Sequence, residues 1–349
     1  MSITSLSSFS YDLKDYQYDL PAELIADRPI EGRHHSRLLI YKCKTKEISH
    51  TSFLNLGDYL PTQSTLVVNE SKVFPCRIFA QKQTGGECEI FLLSLQAREE
   101  RGRKIYPVLL KTTSKKKKGD VYRTSYFDAT LEEIYEDGTF GLSFSVLDLE
   151  IVLAQAHIPL PPYIRAGKSD EKDRDSYQTV YAKHLGSVAA PTAGLHFTPE
   201  LLYSLEERGH PLSKVTLHVG PGTFFPVKES DIRKHKMHHE IFELDALNAY
   251  KIKKAQGNLV AVGTTSLRVL ESLQPDIEAT RGETDIFLYP GKKIKTIKGL
   301  ITNFHLPASS LFILVSALVG REETHRIYQE AINQRYRFYS YGDAMLILL

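Results

Sequence analysis

The 349 residues are 42% hydrophobic and 25% charged, with a net charge of +2. This is the make-up of a globular chain with room for about two domains, and it excludes a protein that holds nucleic acid by bulk positive charge, though not one with a local basic surface. Cys43, Cys76 and Cys88 form no CxxC pair, Met1–Ser10 has neither a basic start nor an apolar core, and the longest apolar run, Leu311–Val319, is too short to cross a bilayer. A cytoplasmic protein is expected.

In chain order, Leu20–Ala26 suits a short helix with Pro21 at its start. Arg33-His34-His35-Ser36-Arg37 precedes the apolar strand Leu38–Tyr41, and Arg33, Ser36 and Arg37 are suited to binding a phosphate or carboxylate. From Leu66 to Ser145 come short β-type runs, the first being Leu66–Asn69, divided by Gly85-Gly86, Arg101-Gly102, Gly119-Asp120 and Asp137-Gly138. Closely spaced strands with hairpin turns and no helical period predict a small antiparallel barrel. It is read as an inserted domain, residues 66–149, within an α/β domain of residues 1–65 and 150–349. Lys115, Lys116, Lys117 and Lys118 form a basic run on it, either a solvated turn or a phosphate contact. Asp148–Ala156 suits a helix, Ile158–Ile164 is stiffened by prolines, and Ala166–Ser176 reads as a mobile surface loop.

Ser187–Thr198 is small, apolar and nearly uncharged, and Pro191, Thr192 and Gly194 suit a tight backbone passage beside a ligand. It delivers His196 just before a helix with Thr198 as N-cap and Pro199 at the first position. Strand-like runs at Lys214–Val219, Leu259–Val262, Asp285–Tyr289 and Gly299–Thr302 then alternate with helices, of which Ser309–Val319 is apolar nearly all round. This alternation predicts a layered α/β domain with a largely parallel sheet, which binds ligands at the carboxyl ends of its strands. Three strand ends carry suitable groups. His218 precedes Gly220-Pro221-Gly222-Thr223; Thr264-Thr265-Ser266 opens a helix bearing Arg268; Asn303 and His305 follow the third strand. Hydroxyls and free amides at a helix start suit an anion, and Arg268 can grip a carboxylate through two bonds. These groups are expected to share one cavity. His235, His238 and His239 suggest a metal, but no carboxylate or cysteine set completes a site, and none is expected. Gly220-Pro221-Gly222 lacks the third glycine and helix of a dinucleotide fingerprint.

Ser187–Thr198, Thr216–Val227, His235–Glu240, Val262–Glu271, Gly299–Pro307 and Tyr336–Ile347, together with Arg33–Leu39, Asn69–Arg77 and Pro159–Ile164, resemble the S-adenosylmethionine:tRNA ribosyltransferase-isomerase family of queuosine biosynthesis. Pro221 stands where that family usually has leucine, and Glu70-Ser71-Lys72 where it has Asp-Thr-Arg. The resemblance implies an α/β domain interrupted by a β-barrel. It implies transfer of a ribosyl unit from S-adenosylmethionine to 7-aminomethyl-7-deazaguanine in the tRNA anticodon loop, giving epoxyqueuosine-tRNA, adenine and methionine. S-adenosylmethionine is then a substrate and no prosthetic group is needed; the partner is tRNA, no membrane is involved, and a monomer is expected. Proton shuttling near neutral pH suits histidine, so His196 and His218 lead the catalytic candidates, followed by His238 and His305. Thr264, Thr265, Ser266 and Arg268 are expected to hold the methionine carboxylate, and Tyr341 and Asp343 to meet the adenine or deazaguanine edge. Competing readings are an S-adenosylmethionine-dependent RNA methyltransferase and a non-catalytic tRNA-binding protein.

Overall fold

The structure, a computed structural model, describes residues 9–83, 85–100, 102–224, 226–255 and 257–349, the side chains of 223 and 224 excepted. It divides into one compact unit of Met1–Ser71, Gln178–His184 and Pro191–Leu349, and a second of Lys72–Tyr177 and Leu185–Ala190.

Nine strands of the described residues form the sheet of the first unit. From edge to edge they run Thr280–Thr284, Glu240–Leu244, Leu212–Leu217, Thr65–Asn69, Leu259–Val262, Gly299–Asn303, Ala344–Leu348, Arg37–Lys42 and Glu47–Ser52. The four strands from Leu212–Leu217 to Gly299–Asn303 are mutually parallel, as are Ala344–Leu348 and Arg37–Lys42. The remaining pairings are antiparallel. The sheet is therefore mixed, which corrects the expectation of a largely parallel one. The difference lies in its flanks. Arg37–Lys42 and Glu47–Ser52 make a hairpin, and Glu240–Leu244 and Thr280–Thr284 return antiparallel beyond the parallel centre. Thr280–Thr284 is a mostly exposed, polar edge strand with no apolar signature, whereas Asp285–Tyr289, expected as a strand, has no strand structure.

The centre follows from composition. Thr65–Asn69 and Leu259–Val262 are buried at every residue, as a strand covered on both faces must be. Leu66, Val68, Val260, Val262 and Ile301 pack on one face with Phe53, Phe197, Leu201 and Leu205. The last three residues belong to or adjoin the helix Pro199–Glu207, where the Thr198 hydroxyl accepts from Leu201 N at 3.3 Å and Pro199 occupies the first turn as expected.

In the second unit, Phe140–Phe144, Asp128–Ile134, Val121–Arg123, Arg77–Lys82, Glu87–Leu92 and Arg103–Thr112 are joined in that order, and the last pairs back onto the first. Every pairing is antiparallel, so these strands close a barrel. Gly119 and Gly138 take positive φ in two of its turns, where a side chain would be strained. Two boundaries differ from the sequence reading. Leu66–Asn69 lies at the centre of the large sheet, because its continuous burial suits a covered strand better than an alternating barrel strand. The second unit also runs past residue 149 to Tyr177. Ala166–Ser176 is no mobile loop: it contains the helix Glu171–Ser176, and the buried Asp173 carboxylate accepts from Arg165 Nη2 at 2.7 and 2.6 Å and from Asp170 N at 2.8 Å.

Candidate functional site

The parallel strands bring Leu217, Asn69, Val262 and Asn303 to one edge of the sheet. Asn69 ties two of these ends together: its Oδ1 accepts from Leu217 N at 3.0 Å and Ser71 N at 3.1 Å, and its Nδ2 donates to Leu217 O at 3.0 Å. The segments expected to carry the chemistry begin at this edge.

Thr192–His196 forms a single tight turn, with Gly194 N donating to Pro191 O at 2.8 Å. Gly194 is tightly packed by neighbouring side chains. A Cβ there would lie 2.1 Å from Tyr181 Oη and 2.8 Å from Thr179 Cγ2. His196 is buried against the Phe53 ring, with Nδ1 2.7 Å from Ser36 Oγ and Nε2 3.1 Å from Asn303 Nδ2. Burial pushes its pKa down to about 3, so the ring is neutral. A hollow lies beside it, lined by Arg33, Ser36, Leu195, His196, Ser340 and Tyr341 among others. The turn reaches the next strand end, since a Cβ built on Gly263 would sit 3.7 Å from Ala193 Cβ.

Gly263–Ser272 is the helix that opens with Thr264, Thr265 and Ser266. Arg268, buried in its second turn, pairs through Nη1 with the buried Glu240 carboxylate. Glu240 Oε1 in turn accepts from Gly220 N at 3.0 Å, joining the helix to the glycine turn after His218. Nε and Nη2 of Arg268 and the hydroxyl of Thr265 are buried without a partner among the described residues. Gly222 leaves room for His238, whose Cδ2 would be 2.2 Å from a Cβ at that position. His238 itself is exposed. His218 donates its backbone N–H to Ile241 O at 2.9 Å, and its ring Nδ1 is buried and unpartnered. Burial, then the charges of His184 and Arg281, lower its pKa. The register pairs Lys214 with Val68, so alternation puts Thr216 and His218 on the Val68 face of the sheet.

Other candidates are committed elsewhere. Asp343 is buried, and its two oxygens accept from Arg37 N and Arg337 N, each at 2.8 Å, so it anchors backbone. Arg37 stacks on Tyr336 and donates to Gln334 O, and Arg33 donates to Gln178 O at 2.8 Å. The Ser266 hydroxyl bonds back to Val262 O. His305 is a core histidine held by Thr302 Oγ1 at 2.8 Å, with its backbone bound by Tyr328 and Tyr18, and burial lowers its pKa to about 3. It has no place in proton transfer. Thr223 falls outside the described side chains. Among the described residues, no three His, Cys, Asp or Glu side chains gather as metal ligands; His235 packs on Phe287 and His239 lies 3.9 Å from both Glu283 and Asp285.

In the barrel unit, the lysine run is a turn in which Lys117 N donates to Asp120 Oδ2 at 2.9 Å. Lys118 pairs with Glu133 at 2.6 Å and Lys116 lies over the Phe140 ring; Lys115 and Lys117 are exposed and form no ion pair among the described residues, although the charge of Lys117 acts on Asp120. Sequence reading missed Glu240, Glu70, Thr179 and Tyr181. Glu240 ends a histidine-rich segment, but nothing short of the strand register shows that it meets Arg268.

The family described as "Queuosine biosynthesis protein" matches residues 13–347. The S-adenosylmethionine:tRNA ribosyltransferase-isomerase of Thermotoga petrophila is 44% identical over 96% of this chain and 99% of its own. Those of Legionella pneumophila and Carboxydothermus hydrogenoformans are 46% identical over the same shares. The crystal structure of S-adenosylmethionine tRNA ribosyltransferase from Thermotoga maritima superposes with a TM-score of 0.54 at 33% identity, covering 96% of this chain and 100% of that one. A strand edge built from these residues, matched along nearly its whole length to such relatives, places the chain in the queuosine biosynthesis protein family.

Proposed function

We propose that the chain is an S-adenosylmethionine:tRNA ribosyltransferase-isomerase. It moves and isomerises the ribosyl unit of S-adenosylmethionine onto 7-aminomethyl-7-deazaguanine in the tRNA anticodon loop, and adenine and methionine leave. One observation carries the placement of the site. Among the described residues, Arg268 Nε and Nη2, Thr265 Oγ1, His218 Nδ1, Asn303 Oδ1, Tyr181 Oη and Thr179 Oγ1 are all buried without a partner, and all belong to segments at or packed against one edge of the sheet. Buried polar groups are normally bonded in native proteins, so such a gathering is what a ligand would satisfy.

The two free N–H groups of Arg268 suit the methionine carboxylate, with Thr264 and Thr265 at the helix start beside it. A base takes a proton from the ribose C5′, acidified by the adjoining sulfonium. Adenine departs with a proton from an acid, the base-borne amine attacks, and closure of the epoxide expels methionine. His218, neutral and with one open ring nitrogen, can accept or pass a proton. His196 has both nitrogens engaged, so its part is to fix Asn303 and Ser36 beside the hollow that Tyr341 lines. His238, exposed over Gly222, is placed to protonate a leaving group. Pro191, Thr192, Gly194 and Gly220 shape the backbone close to the donor. The anticodon loop is single-stranded, so its bases can be met without opening a helix. Lys115 and Lys117 supply phosphate contacts on the barrel.

The protein works in the cytoplasm as a monomer on this reading; among the described residues no helix is long and apolar enough to cross a membrane. Incubation with S-adenosylmethionine and precursor tRNA tests the proposal. Free adenine and methionine are expected. S-adenosylhomocysteine in their place would make the protein a methyltransferase, and no turnover would make it a tRNA-binding protein.

A further inference from the structure

The reaction proposed above needs a proton acceptor with an open lone pair at the strand edge. His196 has both ring nitrogens engaged, His305 is a core residue held through Nε2, and Asp343 is tied to two backbone amides. Glu70 offers one. It directly follows the central strand Thr65–Asn69, it is 4% exposed, and among the described residues its Oε2 makes an ion pair but no well-aligned hydrogen bond. The carboxylate lines a polar hollow with Lys183, His184, Lys214, Thr216, Glu243 and Asp245. Two basic groups approach it, Lys214 Nζ at 3.2 Å from Oε2 and His184 Nε2 at 3.4 Å from Oε1, and both belong to half-exposed side chains. Hydrogen bonds on both sides hold its backbone. Glu70 N donates to Val215 O at 2.9 Å, and Glu70 O accepts from Lys183 N at 2.8 Å. A buried carboxylate whose Oε2 is met only by a half-exposed lysine, and which lines a polar hollow, is suited to a ligand.

We propose that Glu70 is the base that removes the ribose C5′ proton of the donor. The C5′–H bond breaks, the proton goes to Glu70 Oε2, and the electron pair stays on C5′ beside the positive sulfur. A negative carboxylate is suited to the cationic donor, and it becomes neutral as the sulfonium gains its adjacent carbanion, so net charge is conserved. The proton then leaves to solvent past His184, which is half exposed. His218, on the same face of the sheet, remains the second group with an open nitrogen.

This inference rests on the activity proposed above, and one experiment separates the two. The full-length protein is incubated with S-adenosylmethionine carrying deuterium at both C5′ positions, with and without precursor tRNA, and deuterium loss and adenine release are followed. Absence of adenine from the unaltered protein would refute the activity itself. With activity present, Glu70→Gln is expected to slow both deuterium loss and adenine release by about 10²- to 10⁴-fold, the range of a general base, with a much smaller fall in calorimetric affinity for the donor. Glu70→Asp keeps the charge but withdraws the carboxylate by one methylene. Both rates should fall together by an intermediate factor, so a variant that loses the fold with glutamine still leaves a readout. The inference is overturned if Glu70→Gln stays within threefold of the unaltered protein. It is also overturned if Glu70→Gln loses donor affinity in proportion to rate, or if deuterium loss persists while transfer to tRNA stops.

Discussion

His196 stands between Ser36 and Asn303, its Nδ1 2.7 Å from the serine hydroxyl and its Nε2 3.1 Å from the asparagine amide. The ring is buried, and its pKa falls to about 3, as does that of His305. Between pH 6.5 and 3 the unfolded chain therefore binds protons at these two positions that the folded chain does not. Stability must drop as pH falls through that window, by up to about 1.4 kcal/mol per pH unit for each ring. Thermal unfolding from pH 7 to 4 should show this slope, and His305→Gln should make it shallower. A proton-coupled NMR shift of the His196 ring near pH 6.5 would contradict the burial argument.

Arg268 and Glu240 make a buried pair with part of the guanidinium open. Arg268→Met would strand the Glu240 carboxylate, at a cost of about 3–5 kcal/mol in chemical denaturation. Replacing both partners by apolar residues should recover much of that loss, because the stranded charge disappears with its partner. Arg268→Lys keeps the charge and forfeits the planar fork. For that variant, KM for S-adenosylmethionine should rise about 10- to 100-fold with a smaller change in Tm.

The parts of this arrangement visible in the sequence are those carried by local chemistry. The Thr198-Pro199 helix start, the glycine turns of the barrel and the polar residues after apolar strands all declare themselves within a few positions. Partners set by register do not. Glu240 meets Arg268 only because Glu240–Leu244 pairs antiparallel with Leu212–Leu217, and the sheet reads as largely parallel because its polar edge, Thr280–Thr284, carries no apolar alternation. His305 and Asp343 mislead for a related reason. A histidine or carboxylate beside a functional motif looks reactive until its bonds to Thr302, or to two backbone amides, are known.

Gly194 and Tyr181 offer a steric test. In Gly194→Ala the new Cβ would sit 2.1 Å from Tyr181 Oη, so the loop or the ring must move. Overpacking of this kind costs about 1–3 kcal/mol. Tyr181→Phe removes the blocking oxygen and, with it, a buried hydroxyl that has no partner. Alone, that change should leave Tm unchanged or raise it. Combined with Gly194→Ala, it should restore part of the lost stability, and a strictly additive double variant would show that the two residues do not touch.

The lysine run divides into bound and free charges. Lys118 is paired with Glu133, whereas Lys115 and Lys117 are exposed and form no ion pair among the described residues. On single-stranded RNA, removing one lysine–phosphate pair lowers the slope of log K against log salt by about 0.7. Replacing Lys115 and Lys117 by glutamate should thus reduce the salt slope of tRNA binding by about 1.4 in all, as read by filter binding from about 50 to 200 mM salt. Lys118→Glu should change the slope less, since its charge is already partly neutralised at 2.6 Å by Glu133. Equal slopes for the double variant and the unaltered protein would return the run to an ordinary solvated turn, and the barrel would then meet tRNA, if at all, through another surface.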